Sequence, residues 1–308
     1  MRVGIIGAGM VGSTAAYAIG LLGVARSVVL VDLSPVVARA QAEDINHAMP
    51  FASTTHVTWG SYDDLAGAEI IILAAGVGQK PGESRLSLLS RNAEVFRKIL
   101  GEILAVVPNP ILLVATNPVD IMTTIALRLS GLPPHRVIGS GTILDTARFR
   151  SLLSGHLGIA TQSIHSYVLG EHGDSEVLVW SSARAGNMHL DTFAAHAGVP
   201  LTDEFKAEID HGVRNAAYSI IEGKGATFYG IGAGLARLVA AISRDQRIVL
   251  SVSTETEGIA GLPRTAYSVP RIIGRDGVEL DLAPTLDEAE HGALAASVKV
   301  LKDTVDAL

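Results

Sequence analysis

Apolar, β-rich runs alternate with helical segments over the first 140 residues, and this alternation restricts the possible folds more than any other feature. A run without polar alternation is typical of a strand that is covered on both faces. Strands joined by helical, right-handed crossovers predict an open, doubly wound parallel sheet. The predicted strands are 2–6, 27–31, 69–74, 111–115 and 136–138, and the predicted helices are 11–22, 35–48, 86–107 and 118–130.

The remainder of the chain has a different pattern, in which long helices precede a group of strands. Grouped helices and strands indicate an α+β domain. Because no repeat, low-complexity tract or linker is visible, we expect two closely packed domains, 1–140 and 141–308. The predicted helices are 202–222, 226–243 and 284–306, and the predicted strands are 247–255, 266–273 and 277–281.

The composition excludes several classes of function. The formal net charge is −7, so no basic field is available to attract nucleic acid or an anionic membrane. The chain has no cysteine, which excludes disulfides and thiolate zinc sites, and we predict no metal site. No apolar run approaches the roughly 18 residues needed to cross a bilayer, and glycines interrupt the apolar N-terminal segment. We therefore expect a soluble, cytoplasmic protein.

The sequence GAGMVG follows the first predicted strand and places Gly7, Gly9 and Gly12 in a G-x-G-x-x-G spacing. Asp32 ends the second predicted strand, 20 residues after Gly12. Such glycines let a pyrophosphate approach the backbone at a helix N-terminus, and the carboxylate accepts hydrogen bonds from ribose hydroxyls while it repels a 2′-phosphate. The alternative is a tight turn and a strand-ending aspartate without a ligand. Together with a parallel sheet, the two features predict binding of NAD rather than NADP.

A long polar loop, AAGVGQKPGESR (74–85), follows the third predicted strand and points into the crevice where ligands of such sheets bind. It contains Gln79, Lys80, Glu83 and Arg85. Its length and its glycines indicate a lid over the cofactor, and a solvated charged loop is the alternative.

The segment ATNPVD (115–120) follows the next predicted strand and points into the same crevice. Asn117 stands before Pro118, where a special turn or a cis peptide bond is favoured. The carboxyl ends of three or more strands therefore converge on one predicted ligand site.

The segment LGEHGDSE (169–176) stops an apolar run and places His172 between two carboxylates. A surface turn is the ordinary explanation, and a histidine whose proton moves during a reaction is the alternative. The segment GSGTILDTARFR (139–150) looks like a helix start, on which Asp145 and Arg148 share one face. In isolation such a pair is usually a surface ion pair of little energetic value.

A catalytic arrangement joins these two segments. Asp145 can accept the Nδ1 proton of His172, which raises the imidazole pKa and directs Nε2 towards a substrate. Arg148 then offers a bidentate fork to a substrate carboxylate, and Arg85 can close over a carbonyl oxygen. A dehydrogenase of 2-hydroxy acids needs a hydride acceptor, a proton acceptor and a carboxylate anchor. His172 is accordingly predicted to be the working base.

Six segments together resemble the NAD-dependent L-lactate dehydrogenases of bacteria, and the match covers nearly the whole chain. They are GAGMVG, AAGVGQKPGESRL, ATNPVD, GSGTILDTARFR, LGEHGDSE and EGKGATFYGIG. The resemblance implies a Rossmann-type N-terminal domain followed by a catalytic domain. It also implies that His172 donates and accepts the proton with Asp145 as its partner. Arg148 would anchor the substrate carboxylate, and Arg85 would polarise the substrate carbonyl from a closing loop.

The resemblance also implies which residues line the two ligands. Asn117 is expected to contact the substrate, and Thr227 to line the pocket for the substrate side chain. Members of this family are commonly tetrameric. The residues expected along the cofactor, besides the three glycines, are Val11, Asp32, Val37, Tyr62, Gly76, Val77, Ala115, Thr116, Asn117 and Ser140.

Malate dehydrogenases, which share the fold and nearly all the catalytic residues, are the main alternative. They carry an arginine at the position of Gln79, because malate has a second carboxylate that needs a cation. A neutral amide leaves that carboxylate unpaired in a closed site of low dielectric, which is costly. Gln79 and Thr227 therefore favour pyruvate and L-lactate, although Lys80 lies next to Gln79. A second alternative, a protein that senses NAD without chemistry, would not need the catalytic set.

Arg150 and His165 have no part in this catalytic scheme. Arg150 lies about 200° around the helix from Arg148 and therefore points the opposite way. His165 lies on the predicted strand SIHSYVL, seven residues before His172, and along a strand an odd separation places two side chains on opposite faces. A solvated arginine and a surface histidine are the ordinary explanation. In the resembling enzymes these positions bind fructose 1,6-bisphosphate across a subunit interface, so the resemblance implies an allosteric site there.

Overall fold

A parallel sheet forms the centre of the first half of the chain. The computed structural model describes residues 1–78, 82, 85–256 and 259–308, with only the backbone of Arg85 and Ala260. The predicted apolar runs become buried strands, and β4 and β5 are buried at every position. The strands are β1 (Arg2–Ile6), β2 (Ser27–Val31), β3 (His56–Trp59), β4 (Ile70–Leu73), β5 (Ile111–Val114) and β6 (Val137–Gly139). The helices are α1 (Met10–Leu22), α2 (Pro35–Ala48), α3 (Arg85–Val106) and α4 (Val119–Ser130).

The strand order in this half is β3-β2-β1-β4-β5-β6, and every neighbouring pair is parallel. Successive residues of β4 point into different apolar layers, with Ile71 and Leu73 on one side of the sheet and Ile70 and Ile72 on the other. The predicted doubly wound sheet of the Rossmann type is therefore confirmed. The strand order changes direction at β1, and this is the place where such sheets bind ligands.

The strand β3 was not predicted from the sequence. Its four residues, HVTW, pair in parallel with β2 at the edge of the sheet, and of these four only Val57 is buried. An edge strand is covered less completely, so it lacks the continuous apolar run by which the other strands are recognised.

The second half supplies three antiparallel strands to the same sheet. β12 pairs with β6 through Ser253 and Gly139, so the sheet has nine strands within the described part of the chain. Arg271 on β13 is fully buried and donates to Asp281 at 2.6 Å and to backbone carbonyls of β12. The elements that form this edge are β12 (Ile248–Glu255), β13 (Ala266–Gly274) and β14 (Gly277–Asp281).

Helices and short strands make up the rest of the second half, around an apolar cluster that includes Phe149, Leu153 and Val213. Within the described ranges, no helix combines the length and the apolar character that crossing a membrane requires. The helices are α5 (Ile143–Leu157), α6 (Leu190–Ala197), α7 (Asp203–Lys224), α8 (Tyr229–Ser243) and α9 (Glu288–Asp306). The short strands are β7 (Ile164–His165), β8 (Val168–Leu169), β9 (Val177–Leu178), β10 (Arg184–Ala185) and β11 (Met188–His189).

Two predicted elements are wrong in their extent. SIHSYVL is not one strand: β7 joins β10 and β11, whereas β8 pairs with β9, so the two halves of the segment belong to different sheets. The last helix begins at Glu288 rather than at residue 284. Asp287 caps it and forms a reciprocal capping box with Glu290, which fixes the start of the helix after Pro284.

Candidate active site

Three glycines shape the turn between β1 and α1. Gly7 has φ 99°, and a Cβ there would lie 2.7 Å from the backbone nitrogen of Ala75. A Cβ on Gly12 would lie 1.9 Å from the carbonyl oxygen of Gly7, whereas a Cβ on Gly9 would meet nothing within 4 Å. Gly7 and Gly12 therefore allow the turn to close, and the open space beside Gly9 leaves the α1 N-terminus accessible to an anion.

Asp32 lies at the carboxyl end of β2, next to this turn. Its Oδ2 accepts from the backbone N–H of Ala8 at 2.7 Å and its Oδ1 accepts from Ser34 at 2.9 Å. Each oxygen keeps a further lone pair for a ribose hydroxyl. Burial raises the pKa of Tyr62, and the charges of Glu102 and Asp32 raise it further. The predicted residues Val11 and Val37 lie in the first turns of α1 and α2.

The carboxyl ends of β4 and β5 form the other wall of the crevice. A Cβ on Gly76 would lie 2.7 Å from Cγ2 of Thr116, and Thr116 Oγ1 donates to the carbonyl of Ala75 at 2.7 Å. The backbone N–H of Val77 donates to Oδ1 of the buried Asn92 at 2.9 Å. The sequence analysis missed Asn92, because its place in the middle of α3 carries no local signal for a contact 15 residues away.

The next strand ends complete this wall. The peptide bond between Asn117 and Pro118 is cis, as the sequence allowed, and Ala115 precedes it in the chain. The backbone N–H of Ser140 donates to the carbonyl of Val114 at 2.8 Å, which continues the β5–β6 pairing beyond the strand. The predicted cofactor residues of β4, β5 and β6 therefore lie at one edge of the sheet.

Asp145 and His172 are hydrogen bonded. Nδ1 of His172 lies 2.6 Å from Oδ2 of Asp145, and Nη1 of Arg148 donates to Oδ1 of the same carboxylate at 2.8 Å. The Asp145 side chain is 2% exposed, whereas those of Arg148 and His172 are 15% and 26% exposed. One buried carboxylate thus binds both side chains, and among the described residues no hydrogen bond is made by Nε2 of the histidine.

Neighbouring carboxyl groups change the pKa of His172. Burial of the ring lowers the pKa, but the charge and hydrogen bond of Asp145 and the charges of Asp120 and Glu176 raise it more, to about 9. The pKa of the buried Glu176 is also raised, to about 8. Desolvation and the charge of Asp145 raise it, and the charges of His172, Arg214 and Arg148 partly offset this increase. At neutral pH His172 is therefore protonated.

The segment that carries His172 is anchored at several points. The backbone N–H of His172 donates to Oδ2 of Asp120 at 2.8 Å, and the N–H of Glu171 donates to Ser297 Oγ on α9 at 2.9 Å. Gly170 has φ 82°, and a Cβ there would lie 2.5 Å from Ser297 Oγ. The turn is therefore held between α4 and α9 and is not a mobile surface turn.

The comparisons with known proteins agree with this geometry. The family model for the NAD binding domain of lactate/malate dehydrogenase matches residues 1–139, and the model for the alpha/beta C-terminal domain matches residues 142–308. The chain belongs to the lactate/malate dehydrogenase family. It is therefore an oxidoreductase, and its cofactor is NAD.

Individual members of the lactate/malate dehydrogenase family cover this chain from end to end. The L-lactate dehydrogenase of Allorhizobium ampelinum is 63% identical over 98% of each chain, and that of Thermus aquaticus is 58% identical over 100% of this chain and 99% of its own. Among solved structures, the minor L-lactate dehydrogenase of Enterococcus mundtii, in a ligand-bound form, superimposes with a TM-score of 0.95. It is 38% identical and covers 100% of this chain and 98% of its own.

The lid residues predicted in this lactate/malate dehydrogenase chain fall partly outside the described residues. This is the case for Gln79, Lys80 and Glu83, and the side chain of Arg85 also lies outside them. Thr227 lies beyond the end of α7 and lines a cavity of about 370 Å³ together with Ser219, Gly223 and Phe228. The predicted pocket residue is therefore in a cavity wall.

Strand periodicity does not relate His165 to His172, because SIHSYVL is broken between β7 and β8, which belong to different sheets. Nε of Arg150 donates to the carbonyl of Ser166 at 2.9 Å, which holds the guanidinium next to the residue that follows His165. The register of the small sheet places His165 opposite Arg184. The sequence analysis missed Arg184, because only strand pairing brings it to this position.

Asp145, His172 and Glu176 each place a polar atom within 4.8 Å of the others, a spacing compatible with a metal ion. Nδ1 of His172 and Oδ2 of Asp145 are already hydrogen bonded to each other. This spacing is therefore the ordinary consequence of a carboxylate–imidazole pair with a second buried carboxyl beside it.

Proposed function

We propose that this chain is an L-lactate dehydrogenase, which catalyses the reversible reduction of pyruvate by NADH. The observation that carries the proposal is the buried Asp145 carboxylate, which binds His172 through one oxygen and Arg148 through the other. The cofactor, when bound, supplies and accepts the hydride. The names of the two relatives that are 63% and 58% identical over nearly the whole chain support the choice of L-lactate.

The chain's own groups have separate roles in this proposal. His172, which is protonated at neutral pH, gives a proton to the carbonyl oxygen of pyruvate and takes it back in the reverse direction. Arg148 keeps donors free after its contact with Asp145, and these bind the substrate carboxylate. Arg85 would polarise the carbonyl from the lid, and Asn117 and Thr227 would contact the substrate. NAD would bind to the glycine turn after β1, to Asp32, and to the residues at the carboxyl ends of β4, β5 and β6.

The first test is the exchange of His172 for asparagine. General acid–base catalysis typically contributes about 10²–10⁴-fold, so turnover with pyruvate should fall by at least about 100-fold while NADH affinity is unchanged. NADH fluorescence titration checks the affinity. Turnover within tenfold of the parent would remove His172 from the proposed mechanism.

A malate dehydrogenase is the alternative within the same family. The ratio of kcat/KM for pyruvate to kcat/KM for oxaloacetate distinguishes it from a lactate dehydrogenase. The parent should prefer pyruvate. Gln79→Arg should move the ratio towards oxaloacetate, because the new cation pairs the second carboxylate of oxaloacetate and lacks a partner when pyruvate is bound. If the ratio does not move, Gln79 does not face the substrate side chain.

We also propose that fructose 1,6-bisphosphate activates the enzyme at Arg150 and His165, in a tetramer. The three-stranded sheet supports an anion site there, because His165 is opposite Arg184 and Arg184 is opposite His189. Arginine and imidazole N–H groups on one face of a small sheet can donate hydrogen bonds to an anion. A two-fold axis would double this group of cations and match a ligand with two phosphates. The tetramer and the cytoplasmic location remain predictions.

Fructose 1,6-bisphosphate should lower the pyruvate concentration that gives half-maximal rate, because it would bind preferentially to the active tetramer. This activation should be absent in Arg150→Gln/His165→Ala, with normal turnover at saturating pyruvate. Activation that persists in the double variant would place the effector elsewhere, and a parent without activation would contradict the proposal.

A further inference from the structure

Asp120 is a buried carboxylate that the catalytic roles above leave unused. It lies in the first turn of α4, is 2% exposed, and accepts the backbone N–H of His172 through Oδ2 at 2.8 Å. Its Oδ1 is buried and makes no hydrogen bond of good geometry to any described residue. Burial of a carboxylate costs free energy, so the presence of Asp120 behind the histidine needs a reason.

The charges around Asp120 come from several elements. The pKa of Asp120 is raised to about 6, chiefly because the carboxyl group is buried. The Ser253 hydroxyl and His172 lower the pKa, and the charge of Glu171 raises it. Burial lowers the pKa of Arg271 on β13, and the charges of Asp281 and Asp120 act in the opposite direction. Asp120 is therefore an anion above about pH 6.

The charges that face the imidazole come from three directions. Asp145 on α5 bonds to Nδ1, Asp120 on α4 lies behind the backbone, and Glu176 follows on the same segment. Asp145 cannot be exchanged without loss of the Arg148 contact, whereas the described contacts of Asp120 do not include Arg148 or the imidazole ring. An exchange of Asp120 therefore removes a negative charge near the imidazole of His172 and keeps the hydrogen bond between Asp145 and Nδ1.

We propose that Asp120 is a positioning residue for proton transfer at His172. It fixes the backbone of the histidine, and its negative charge keeps the imidazole protonated for the reduction of pyruvate. The segment ATNPVD then has two roles in one turn, since Asn117 lies at the cofactor crevice and Asp120 holds the catalytic segment. The proposal rests on the role of His172 proposed above. The alternative is that Asp120 only stabilises the N-terminus of α4 through the helix dipole.

Asp120→Asn tests the charge, because the amide keeps an oxygen for the N–H of His172. Pyruvate reduction needs protonated His172, and L-lactate oxidation needs the neutral form. Without the charge of Asp120 the pKa of His172 should fall by about one unit. The pH above which kcat/KM for pyruvate reduction declines, and the pH above which kcat/KM for lactate oxidation rises, should therefore both move about one unit lower. At pH 9 the reduction rate should fall about fivefold, while the oxidation rate does not fall.

A matched control lies in the same helix. Thr123 is 1% exposed, and its hydroxyl donates to the carbonyl of Val119 at 2.7 Å. Thr123→Val should lower the melting temperature and leave both pH profiles in place. Asp120→Ala, which removes the hydrogen bond as well as the charge, should show the pH shift and a lower kcat at every pH.

Unshifted pH profiles for a folded Asp120→Asn, or equal losses in both directions at every pH, would overturn the proposal. If Asp120→Asn does not fold, Asp120→Ser replaces it, because the smaller hydroxyl can also accept the N–H; the same shift is expected and its absence is equally decisive. Failure of this proposal is distinct from failure of the proposed function: in the first case His172→Asn still loses turnover, and in the second it does not.

Discussion

Asp145→Asn should move the ionisation of His172 to lower pH. The pKa of His172 lies at about 9 against an ordinary value of 6.5, and Asp145 is first among the groups that raise it. The difference of about 2.5 units corresponds to about 3 kcal/mol. Because Asp120 and Glu176 remain and burial still acts in the opposite direction, we expect a decrease of roughly two units, to near pH 7.

The activity loss follows from this shift. At pH 8 the protonated fraction of His172 would fall from about nine tenths to about one tenth, which alone lowers kcat/KM for pyruvate about tenfold. The asparagine also weakens the orientation of the ring, and general acid catalysis depends on it, so a total loss of about 10²–10³-fold is expected. At pH 6, where the ring is protonated in both proteins, the loss should be smaller by about that factor of ten.

The assay is NADH oxidation with pyruvate from pH 5.5 to 9.5, for the parent, Asp145→Asn and a control. Glu43→Gln is a suitable control, because it removes a carboxylate from an exposed pair with Arg39 in which Nε and Oε1 are 2.7 Å apart. Its profile should match that of the parent. An Asp145→Asn profile that declines at the same pH as the parent would refute the reasoning, whatever the size of the rate loss.

Two further predictions concern the neighbouring charges. Arg148→Lys keeps the charge but loses the fork, so KM for pyruvate should rise by about tenfold or more with NADH affinity unchanged, and an unchanged KM would mean that another group anchors the carboxylate. The free energy of unfolding of Glu176→Gln should increase relative to that of the parent as pH rises. The pKa of Glu176 is about 8 in the folded chain against 4.5 normally, so its stabilising contribution is complete below pH 4.5 and is lost as pH rises through 8. Melting curves should show that the free energy of unfolding of Glu176→Gln, relative to the parent, increases by about 1–3 kcal/mol from pH 4.5 to pH 8. A difference that is the same at both pH values would contradict this assignment.

The candidate site could be predicted in part because some of its signals are local. Asp145 and Arg148 are three residues apart on one helix, so their contact at 2.8 Å follows from helical periodicity alone. The spacing of Gly7, Gly9 and Gly12 is also a local signal, because residues 7 and 12 meet in the same turn and a Cβ on Gly12 would clash with the carbonyl of Gly7. Other contacts have no local signal: Asp120 reaches His172 across 52 residues, and only the packed fold shows that they meet.

The sequence by itself determined the central sheet, because a strand covered on both faces must be apolar at every position, and β4 and β5 are. It could not determine β3, whose exposed edge relaxes that requirement, nor the break between β7 and β8. Those features depend on which surfaces the rest of the chain covers. The tertiary structure alone also decided that Arg184 lies beside His165, since strand pairing brings together residues whose separation along the chain carries no information about contact.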